Sequence, residues 1–456
     1  MIQSLFSACW MGVFVLLQLS FAEKLSAYIE PLPSQQATAN RSGGDDNPDV
    51  LEAGTGLSLE ELVSLGLEQN PKLSVASYAI DAARGRAAQA GLFPNPTVGV
   101  TFDELGDKTG RSGVNTLPLI SQEIVTGGKL RLSQAAGQQE VEQVSWRYMV
   151  QRYELLANIR TTYFDALTLQ ERIEILRKMV ALADKSVSQV DDLVDAKQAA
   201  RLDLVQLEVE AERLRAEFES AERELPATYK RLAAVVGVNQ LELTSVDGSL
   251  TDPLPEYDLE LVQESILENH PELQAALFGV ERARLLLRRA KVEPVPNLNI
   301  DTGYVRQNQN RSDDFRIGAS VSIPLWNRNQ GNIFATQAQL SEAIQSVNQI
   351  ENELTERAAL AMRDYVSARR RAARYRDAIL PRAQETYQLS REAYQGGQFE
   401  YLRVLEAQRA VAQASLEYVR SLGEAWKAAA VISGLTLEDE WPSVSPELPP
   451  TPNNVP

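Results

Sequence analysis

Very few residues in this chain could do chemistry. His270 is the only histidine and Cys9 the only cysteine, whereas a closed soft-metal site or a nucleophile–base arrangement needs several such side chains. Carboxylates are abundant, but no acid/base pair, glycine-rich phosphate loop or zinc-ligand spacing stands out. We therefore predict no catalytic residue, no cofactor and no bound metal, and we do not expect an enzyme.

His270 has a structural interpretation. It stands directly before Pro271, and Asn70 holds the same place before Pro71 in an earlier stretch of similar sequence. Asn and His both hydrogen-bond nearby backbone at turns, so a local structural role is favoured over a general base or a metal ligand.

The charge of the chain limits its partners. Its 456 residues carry a formal net charge of −17. A phosphate-binding surface needs a clustered basic excess, so nucleic acid is not an expected partner. Glutamates recur through 208–224 and are interpreted either as a solvated, ion-paired helix face or as a cation-attracting lumen. Asp191, Asp192 and Asp195 either attract a basic partner or form an exposed, solubilising end.

The chain repeats itself at an interval of about 200 residues, because Asn70-Pro71 is matched by His270-Pro271. Each half reads as a helix, a proline break, a β-like patch and two very long helices. Such a duplication is typical of a pseudo-symmetric assembly rather than of one catalytic pocket. The predicted organisation is, in order, a signal peptide at 1–22, a flexible lead-in at 23–57, a first repeat at 58–238, a linker at 239–256, a second repeat at 257–436 and a disordered tail at 437–456.

The long helices carry heptad patterns. In the first repeat, two series of residues spaced by seven begin at Leu155 and Ile159 and form a seam over three heptads. This pattern predicts helices that pack at a shallow angle, and a break at 199–203 predicts an antiparallel hairpin. Small residues along the counterpart helix of the second repeat would permit lateral association into a larger ring: Ala335, Ala338, Ala343, Ala358, Ala359 and Ala361.

Four short segments alternate between apolar and polar side chains. They are interpreted either as tilted strands that cross a bilayer or as soluble hairpins with one face buried on a helix. Four strands cannot close a membrane barrel, and open edges are excluded in lipid, so the first interpretation requires several chains; three would give twelve strands. The segments are 97–103, 115–123, 297–305 and 315–323, and polar loops at 104–114 and 306–314 separate the members of each pair.

The chain resembles the TolC family of outer-membrane efflux proteins over both repeats. The resemblance rests on the two Asn/His-Pro-x-Leu motifs that begin at Asn70 and His270, on Ser121–Ile124 followed by two glycines, and on Tyr394–Gln408. Within that family, the stretch Ser121–Lys129 is most similar to the CzcC-like branch, which serves heavy-metal efflux pumps of the RND type.

This resemblance implies a mainly α fold with a small β part. It implies duplicated helical hairpins, a trimeric outer-membrane β-barrel with four strands per chain, and a long periplasmic α-helical barrel that continues it. The implied function is a passive exit duct in the bacterial outer membrane, with heavy-metal cations as the expected cargo. The implied partners are two further copies of the chain, a periplasmic adaptor protein, an inner-membrane RND pump that supplies the energy, and outer-membrane lipid.

The helix–helix turns at 195–203 and 395–403 would be the periplasmic tips, where the family's adaptor docks and its channel constricts. A glycine commonly marks each tip; Gly397 keeps it in the second repeat, whereas Lys197 replaces it in the first. The family's entrance often carries two carboxylates one helical turn apart. Arg403 and Glu406 hold those places here, and they would close the tip through interchain salt bridges. Candidate gate residues are therefore Lys197, Gly397, Arg403 and Glu406, and candidate adaptor-docking residues are Asp191, Asp192, Asp195 and Gln398.

Three alternatives stay open. The same duct could serve a multidrug pump or a type I secretion system, because cargo choice resides mainly in the inner-membrane partner. A soluble periplasmic coiled-coil scaffold would explain the heptads, but not four alternating segments in matched positions of two repeats. The apolar run at 2–22 could also be a retained membrane anchor rather than a cleaved signal peptide.

Overall fold

A computed structural model describes residues 56–103, 113–238, 241, 243–398 and 401–442. The predicted signal peptide, and the predicted lead-in apart from its last two residues, lie outside the described residues. Among the described helices, none is both long enough and apolar enough to cross a membrane.

Each repeat consists of a short helix, a second helix that begins at a proline, a strand pair and two long helical arms. The described elements of the first repeat are α1 (Leu59–Gln69), α2 (Pro71–Ala90), β1 (Thr97–Asp103), β2 (Val114–Ile124), α3 (Lys129–Asp195) and α4 (Arg201–Val236). Those of the second repeat are α5 (Leu259–Asn269), α6 (Pro271–Val292), β3 (Leu298–Gln307), β4 (Ser312–Val321), α7 (Gln330–Arg374), a π-helical segment (Tyr375–Ile379), α8 (Leu380–Gln395) and α9 (Tyr401–Leu435). The two halves thus follow the same order, as the repeated motifs predict.

The residue before each repeated proline caps the following helix. Asn70 caps α2, because its Oδ1 accepts the N–H of Lys72 at 2.8 Å, and its Nδ2 donates to two carbonyls near the end of α4. His270 caps α6, because its Nδ1 accepts the N–H of Glu272 at 3.3 Å. Proline suits the first helical position, where its missing N–H would have no partner within the helix. The structural role predicted for His270 is confirmed.

The helical arms are long because their apolar stripes continue for many turns. α3 has 67 residues, which corresponds to about 100 Å at a rise of 1.5 Å per residue. The heptad residues Leu155, Ile159, Leu169 and Leu176 are all buried, and α4 packs back along α3 as the predicted antiparallel hairpin. In the second repeat, α7, the π-helical segment and α8 form one arm, and α9 packs back along it.

The strands form one antiparallel sheet in the order β1–β2–β3–β4, so all four predicted segments are strands. Pairing between β3 and β4 continues as far as Gln307 and Ser312. The polar loop predicted at 306–314 therefore shrinks to 308–311, and that boundary prediction was wrong. Within the described residues, the outer edges of β1 and β4 have no strand partner.

The sheet has one mainly apolar face and one mainly polar face, since successive side chains along a strand point to opposite sides. Large side chains are exposed on the apolar face at both edges, including Val98 on β1 and Phe315 and Ile317 on β4. Most cross-strand neighbours on the opposite face are polar or lack a side chain, with apolar exceptions such as Leu119 and Val305. That polar face carries Thr97, Ser121, Glu123, Asn299, Asp301, Arg316 and Ser320.

Residues 437–442 are ordered and packed, so the prediction of a disordered tail was wrong for them. Trp441 is buried, and its ring lies edge-on to that of Phe164 with centroids 5.8 Å apart. The Arg160 guanidinium lies 5.1 Å from the centre of the Trp441 ring. An aromatic contact and a cation over a ring face both favour burial of this segment. Residues 443–456 lie outside the described residues.

The segment predicted as a linker, 239–256, packs against the helices in its described part. Val246 and Leu250 are buried, and Leu57 forms an isolated parallel bridge to Val246. The indole N–H of Trp426 donates to the Leu250 carbonyl at 2.9 Å. This segment therefore contributes to the core shared by the two repeats.

Two of the small residues proposed for lateral packing serve another purpose. Ala358 and Ala361 are buried in the core of the chain itself, which corrects the prediction for these two. Their small side chains let neighbouring helices of the same chain approach closely. The remaining four are exposed or half-buried: Ala335, Ala338, Ala343 and Ala359.

The His270 cap gives a pH prediction. Burial lowers the pKa of His270 from 6.5 to about 4, despite the nearby Glu272 carboxylate; Arg357 acts in the same direction as burial. The folded protein therefore favours neutral His270, and its contribution to stability is lost as the pH falls from about 6.5 towards 4. We expect a loss of about 2 kcal/mol by pH 4.5.

His270→Asn installs the residue that caps α2 in the first repeat and should remove this loss. The free energy of unfolding of detergent-solubilised protein at pH 7.5 and 4.5 measures the effect. The difference between wild type and variant should shift in favour of the variant at the lower pH. Parallel pH profiles for the two proteins would contradict the assignment.

Candidate functional site

No group of three or more His, Cys, Asp and Glu side chains within the described residues is arranged to hold a metal ion. Three other features could carry function. They are the two turns between the long helices, the ion pairs close to those turns, and the joint where the strands meet the helices.

The two turns between long helices share one backbone geometry. At each turn, the two residues after the C-cap donate their N–H groups to carbonyls three and five residues earlier in the chain, a Schellman-type helix end. Lys197 and Gly397 hold the same place in this arrangement. Both have a left-handed backbone, with φ of 57° and 69°. The first repeat therefore has lysine where the second repeat has glycine.

A left-handed backbone strains lysine, because its Cβ crowds the following carbonyl oxygen at a cost of about 1 kcal/mol. Lys197→Gly should therefore stabilise the last turn of α3 by about 1 kcal/mol, and the reverse exchange Gly397→Lys should destabilise the end of α8 by a similar amount. Hydrogen exchange at the amides of each turn measures both changes. Unchanged exchange in both variants would show that the turns do not hold this conformation in solution.

Arg403 and Glu406 lie in the first turns of α9 and form an ion pair with each other at 3.2 Å. Their side chains are 68% and 52% exposed, so this pair contributes little to the stability of one chain. Both groups are accessible to another chain. The interchain salt bridges expected from the sequence stay a prediction.

The three aspartates near the first tip, and Gln398 at the second, are all exposed. Asp191, Asp192 and Asp195 lie at the C-terminal end of α3. Carboxylates there oppose the helix dipole, which costs a few tenths of a kcal/mol for each. Their placement does not stabilise the helix and leaves negative charge accessible to a partner.

An ion cluster around one buried glutamate ties the two helical hairpins together near the tips. The Glu210 side chain on α4 is only 7% exposed; its carboxylate lies 2.8 Å from Arg409 on α9 and 2.7 Å from Arg213 on α4. Burial alone would raise the pKa of Glu210, but hydrogen bonds and charge from the two arginines lower it below its usual value. Glu210 is therefore held ionised between the two repeats.

The role of Glu210 is not apparent from the sequence, where all glutamates of 208–224 are interpreted as one surface. Other glutamates of 208–224 fit the interpretation of a solvated, ion-paired helix face: Glu212 pairs with Arg215, and Glu217 pairs with Arg213 at 2.6 Å. The Glu212 side chain is 69% exposed. Helical spacing alone does not distinguish Glu210 from these neighbours.

Glu210→Gln should loosen the contact between α4 and α9. The variant leaves two partly exposed arginines without their anionic partner, and we expect a loss of about 1–2 kcal/mol after allowing for solvent screening. Hydrogen exchange around Leu207 on α4 and Leu405 on α9, which belong to one buried apolar cluster, measures the loss. Glu212→Gln, which changes an exposed pair on the same helix, should cost under about 0.5 kcal/mol. Equal effects of the two substitutions would contradict the assigned role of Glu210.

One polar network joins the two repeats where the strands meet the helices. Asn297, directly before β3, accepts the Lys129 Nζ at 2.9 Å and donates from its Nδ2 to Glu123 at 2.7 Å. Lys129 is 3% exposed and also lies 3.9 Å from the Glu293 carboxylate. Buried polar groups need such partners, so the network fixes how the end of β2 meets the start of β3.

A profile described as outer membrane efflux protein matches the chain over residues 62–238 and 262–435. The two matched segments coincide with the two structural repeats. The chain belongs to the outer membrane efflux protein family. Members of this family are channels rather than enzymes, so the expectation of a non-enzyme is confirmed.

One relative is named for metal resistance and another for cation efflux. The chain is 26% identical to the cobalt-zinc-cadmium resistance protein CzcC of Cupriavidus metallidurans over 383 residues, which cover 84% of this chain and 90% of the relative. It is 22% identical to the cation efflux system protein CusC of Escherichia coli K12 over 402 residues, with 80% and 84% covered. These matches confirm the resemblance to the TolC family and its CzcC-like branch.

The fold is shared with solved channels of this family. A CusC structure, whose title refers to transmembrane channel formation, superimposes with a TM-score of 0.73 and 17% sequence identity, covering 83% of this chain and 91% of that one. The prediction of a mainly helical fold with a small four-stranded sheet is confirmed. The chain is an outer-membrane efflux channel protein of the TolC family.

Proposed function

We propose that three copies of this chain form the exit duct of a tripartite, RND-type pump, through which heavy-metal cations leave the cell. In the proposed assembly, four strands from each chain close a twelve-stranded barrel in the outer membrane, and the helical arms continue it into the periplasm. A periplasmic adaptor protein and an inner-membrane pump complete the system. The pump supplies the energy, and the duct is passive.

The observation that carries the proposal is a two-faced sheet joined to long helical arms, of which α3 extends for about 100 Å. A sheet with an apolar and a polar face suits a wall between lipid and water. Open strand edges are not tolerated in lipid, and in the part of one chain that the structure describes the outer edges of β1 and β4 are open. Trimers that work with adaptor and pump partners are the rule among TolC-family channels, which supports three copies.

The tips are the proposed contact with the adaptor. Negative charge that does not stabilise its own helix supports docking of a basic adaptor surface at the end of α3. The exposed Arg403–Glu406 ion pair at the start of α9 supports a gate in which these two residues exchange ion-pair partners between chains. The proposed gate residues are Lys197, Gly397, Arg403 and Glu406, and the proposed docking residues are Asp191, Asp192, Asp195 and Gln398.

Metal cations are the proposed cargo because of the names of the relatives. CzcC is a cobalt-zinc-cadmium resistance protein, and CusC is a cation efflux system protein. The net charge of −17 also favours cations over anions near the protein.

The test is a deletion strain with and without the restored gene, plated on zinc, cobalt, cadmium, copper and silver, and in parallel on a dye, a detergent and a macrolide. Restored tolerance confined to one group of metals is the expected result. An immunoblot of outer membranes controls for the amount of protein, and an empty plasmid controls for the vector. Rescue against the organic compounds alone would contradict the metal cargo and indicate a drug-efflux duct.

A further inference from the structure

A cavity of about 360 Å³ lies where helices of the two repeats meet. α3 of the first repeat forms one side, and α6, α7 and α9 of the second repeat form the others. All of these walls belong to one chain. Small-molecule sites in proteins commonly enclose about 300–1,000 Å³, and this cavity falls within that range.

Small side chains leave this space open. Ala157 on α3, Ala361 on α7 and Ala428 on α9 all line it. Gly434 lines it as well, and a Cβ there would lie 2.7 Å from the Ala157 Cβ, so α9 approaches α3 closely at this point. The other hydrophobic residues of the wall are larger: Val150, Leu360, Val431, Leu435 and Leu437. Such a wall favours a ligand with an apolar body, because both surfaces leave water on binding.

His270 brings a buried hydrogen-bond donor to this cavity. The residue is 5% exposed and lines the cavity. Because its Nδ1 accepts the Glu272 N–H, the proton of the neutral imidazole is on Nε2. Among the described residues, this Nε2–H has no acceptor, whereas the side chain of its counterpart Asn70 also donates to two carbonyls near the end of α4. Buried donors normally have partners, so the free donor indicates a ligand that carries an acceptor atom.

Two ion pairs at the cavity are balanced internally. Arg357 donates to both oxygens of the Glu272 carboxylate, at 2.9 and 2.5 Å. Asp364 is exposed and pairs with Arg363 at 2.6 Å. Neither pair leaves a net charge for a ligand.

Glu154 supplies the excess charge at the cavity. It lines the cavity from α3 and is exposed, so its carboxylate lies at the mouth. Among the residues that the structure describes, it accepts from the uncharged amide of Gln151 at 3.0 Å and forms no ion pair with Lys or Arg. A carboxylate beside an apolar wall attracts cations and repels anions.

We propose that this cavity binds an amphipathic organic cation. The apolar body of the ligand lies against the wall, an acceptor atom receives the His270 Nε2–H, and the cationic group lies at Glu154. A bare metal ion would leave the apolar wall unused. The site goes beyond the proposed duct and is independent of its cargo, because one chain supplies every group that the site uses.

Two matched ligands test the site on full-length protein in mild detergent. Propranolol combines a naphthyl body, an ether oxygen and a protonated amine, and 1-naphthoxyacetate keeps the naphthyl ether but carries a carboxylate. We expect saturable binding of propranolol, measured by naphthyl fluorescence against the same micelles without protein. Binding of 1-naphthoxyacetate should be at least about tenfold weaker, because Glu154 repels it.

Three variants separate the parts of the site. Val431→Trp fills the cavity and should weaken propranolol binding at least about tenfold, whereas Leu402→Trp is a control on the same helix outside the cavity. The two side chains have similar exposure, 41% and 37%. Glu154→Gln should reduce the preference for the cation over the anion. His270→Asn keeps a capping side chain and should weaken both ligands about equally, since both carry the ether oxygen.

The possible results divide clearly. Propranolol binding that Val431→Trp weakens and Leu402→Trp leaves unchanged, with a cation preference that depends on Glu154, supports the site. Three results would overturn it: no saturable propranolol binding by folded wild type, equal binding by the two tryptophan variants, or equal affinity for the two ligands in wild type. Circular dichroism and native mass check that each variant folds. If Val431→Trp does not fold, Glu154→Gln decides, and an unchanged cation preference overturns the proposal.

Discussion

Backbone pairing in the sheet is the constraint on which the rest of the structure depends. The strand order leaves one edge of β1 and one edge of β4 without partners in the described chain, and unpaired N–H and C=O groups are too costly to face lipid. The apolar side chains that line those edges, such as Val98 and Ile317, are exposed as well. A single copy in a membrane would leave both the backbone and the apolar surface unsatisfied. The proposed ring of three copies satisfies both through one kind of contact.

The duplication of the sequence within the chain supplies the elements for that contact. Within one chain, β2 already pairs with β3, and a partly buried network of Lys129, Asn297 and Glu123 holds the end of β2 against the start of β3. The open edges repeat the same elements, because β1 holds the place in the first repeat that β3 holds in the second, and β4 the place of β2. The long arms then extend the same arrangement away from the sheet, and the Glu210–Arg409 contact ties the hairpins of the two repeats together near the tips. Sheet, arms and tips are therefore consequences of one repeated unit.

Local patterns in the sequence predicted most of the fold. Heptads from Leu155 onward predicted the α3–α4 hairpin, and the alternation of apolar and polar side chains predicted all four strands. Both patterns are formed by residues that are close together in the sequence. The role of Glu210 was not predictable in this way, since its partner Arg409 is distant in sequence and only packing brings them together. The burial of Trp441 likewise depends on Phe164 and its neighbours, whereas the local sequence resembles a tail. The π-helical segment had a signal that went unused: Pro381 follows it and cannot donate the N–H that an α-helix needs there.

The same distinction between local sequence signals and long-range contacts applies to the candidate site residues. The resemblance to the family's tips predicted that Lys197 takes the place of a glycine, and its left-handed backbone angle agrees. A gate, in contrast, is formed by several chains together.

The central claim is that several copies of the chain assemble into one channel. Its most direct test is the native mass of protein extracted from outer membranes in mild detergent, corrected for bound detergent. Three copies per particle is the predicted result. A monomer recovered from the soluble periplasmic fraction would contradict the account.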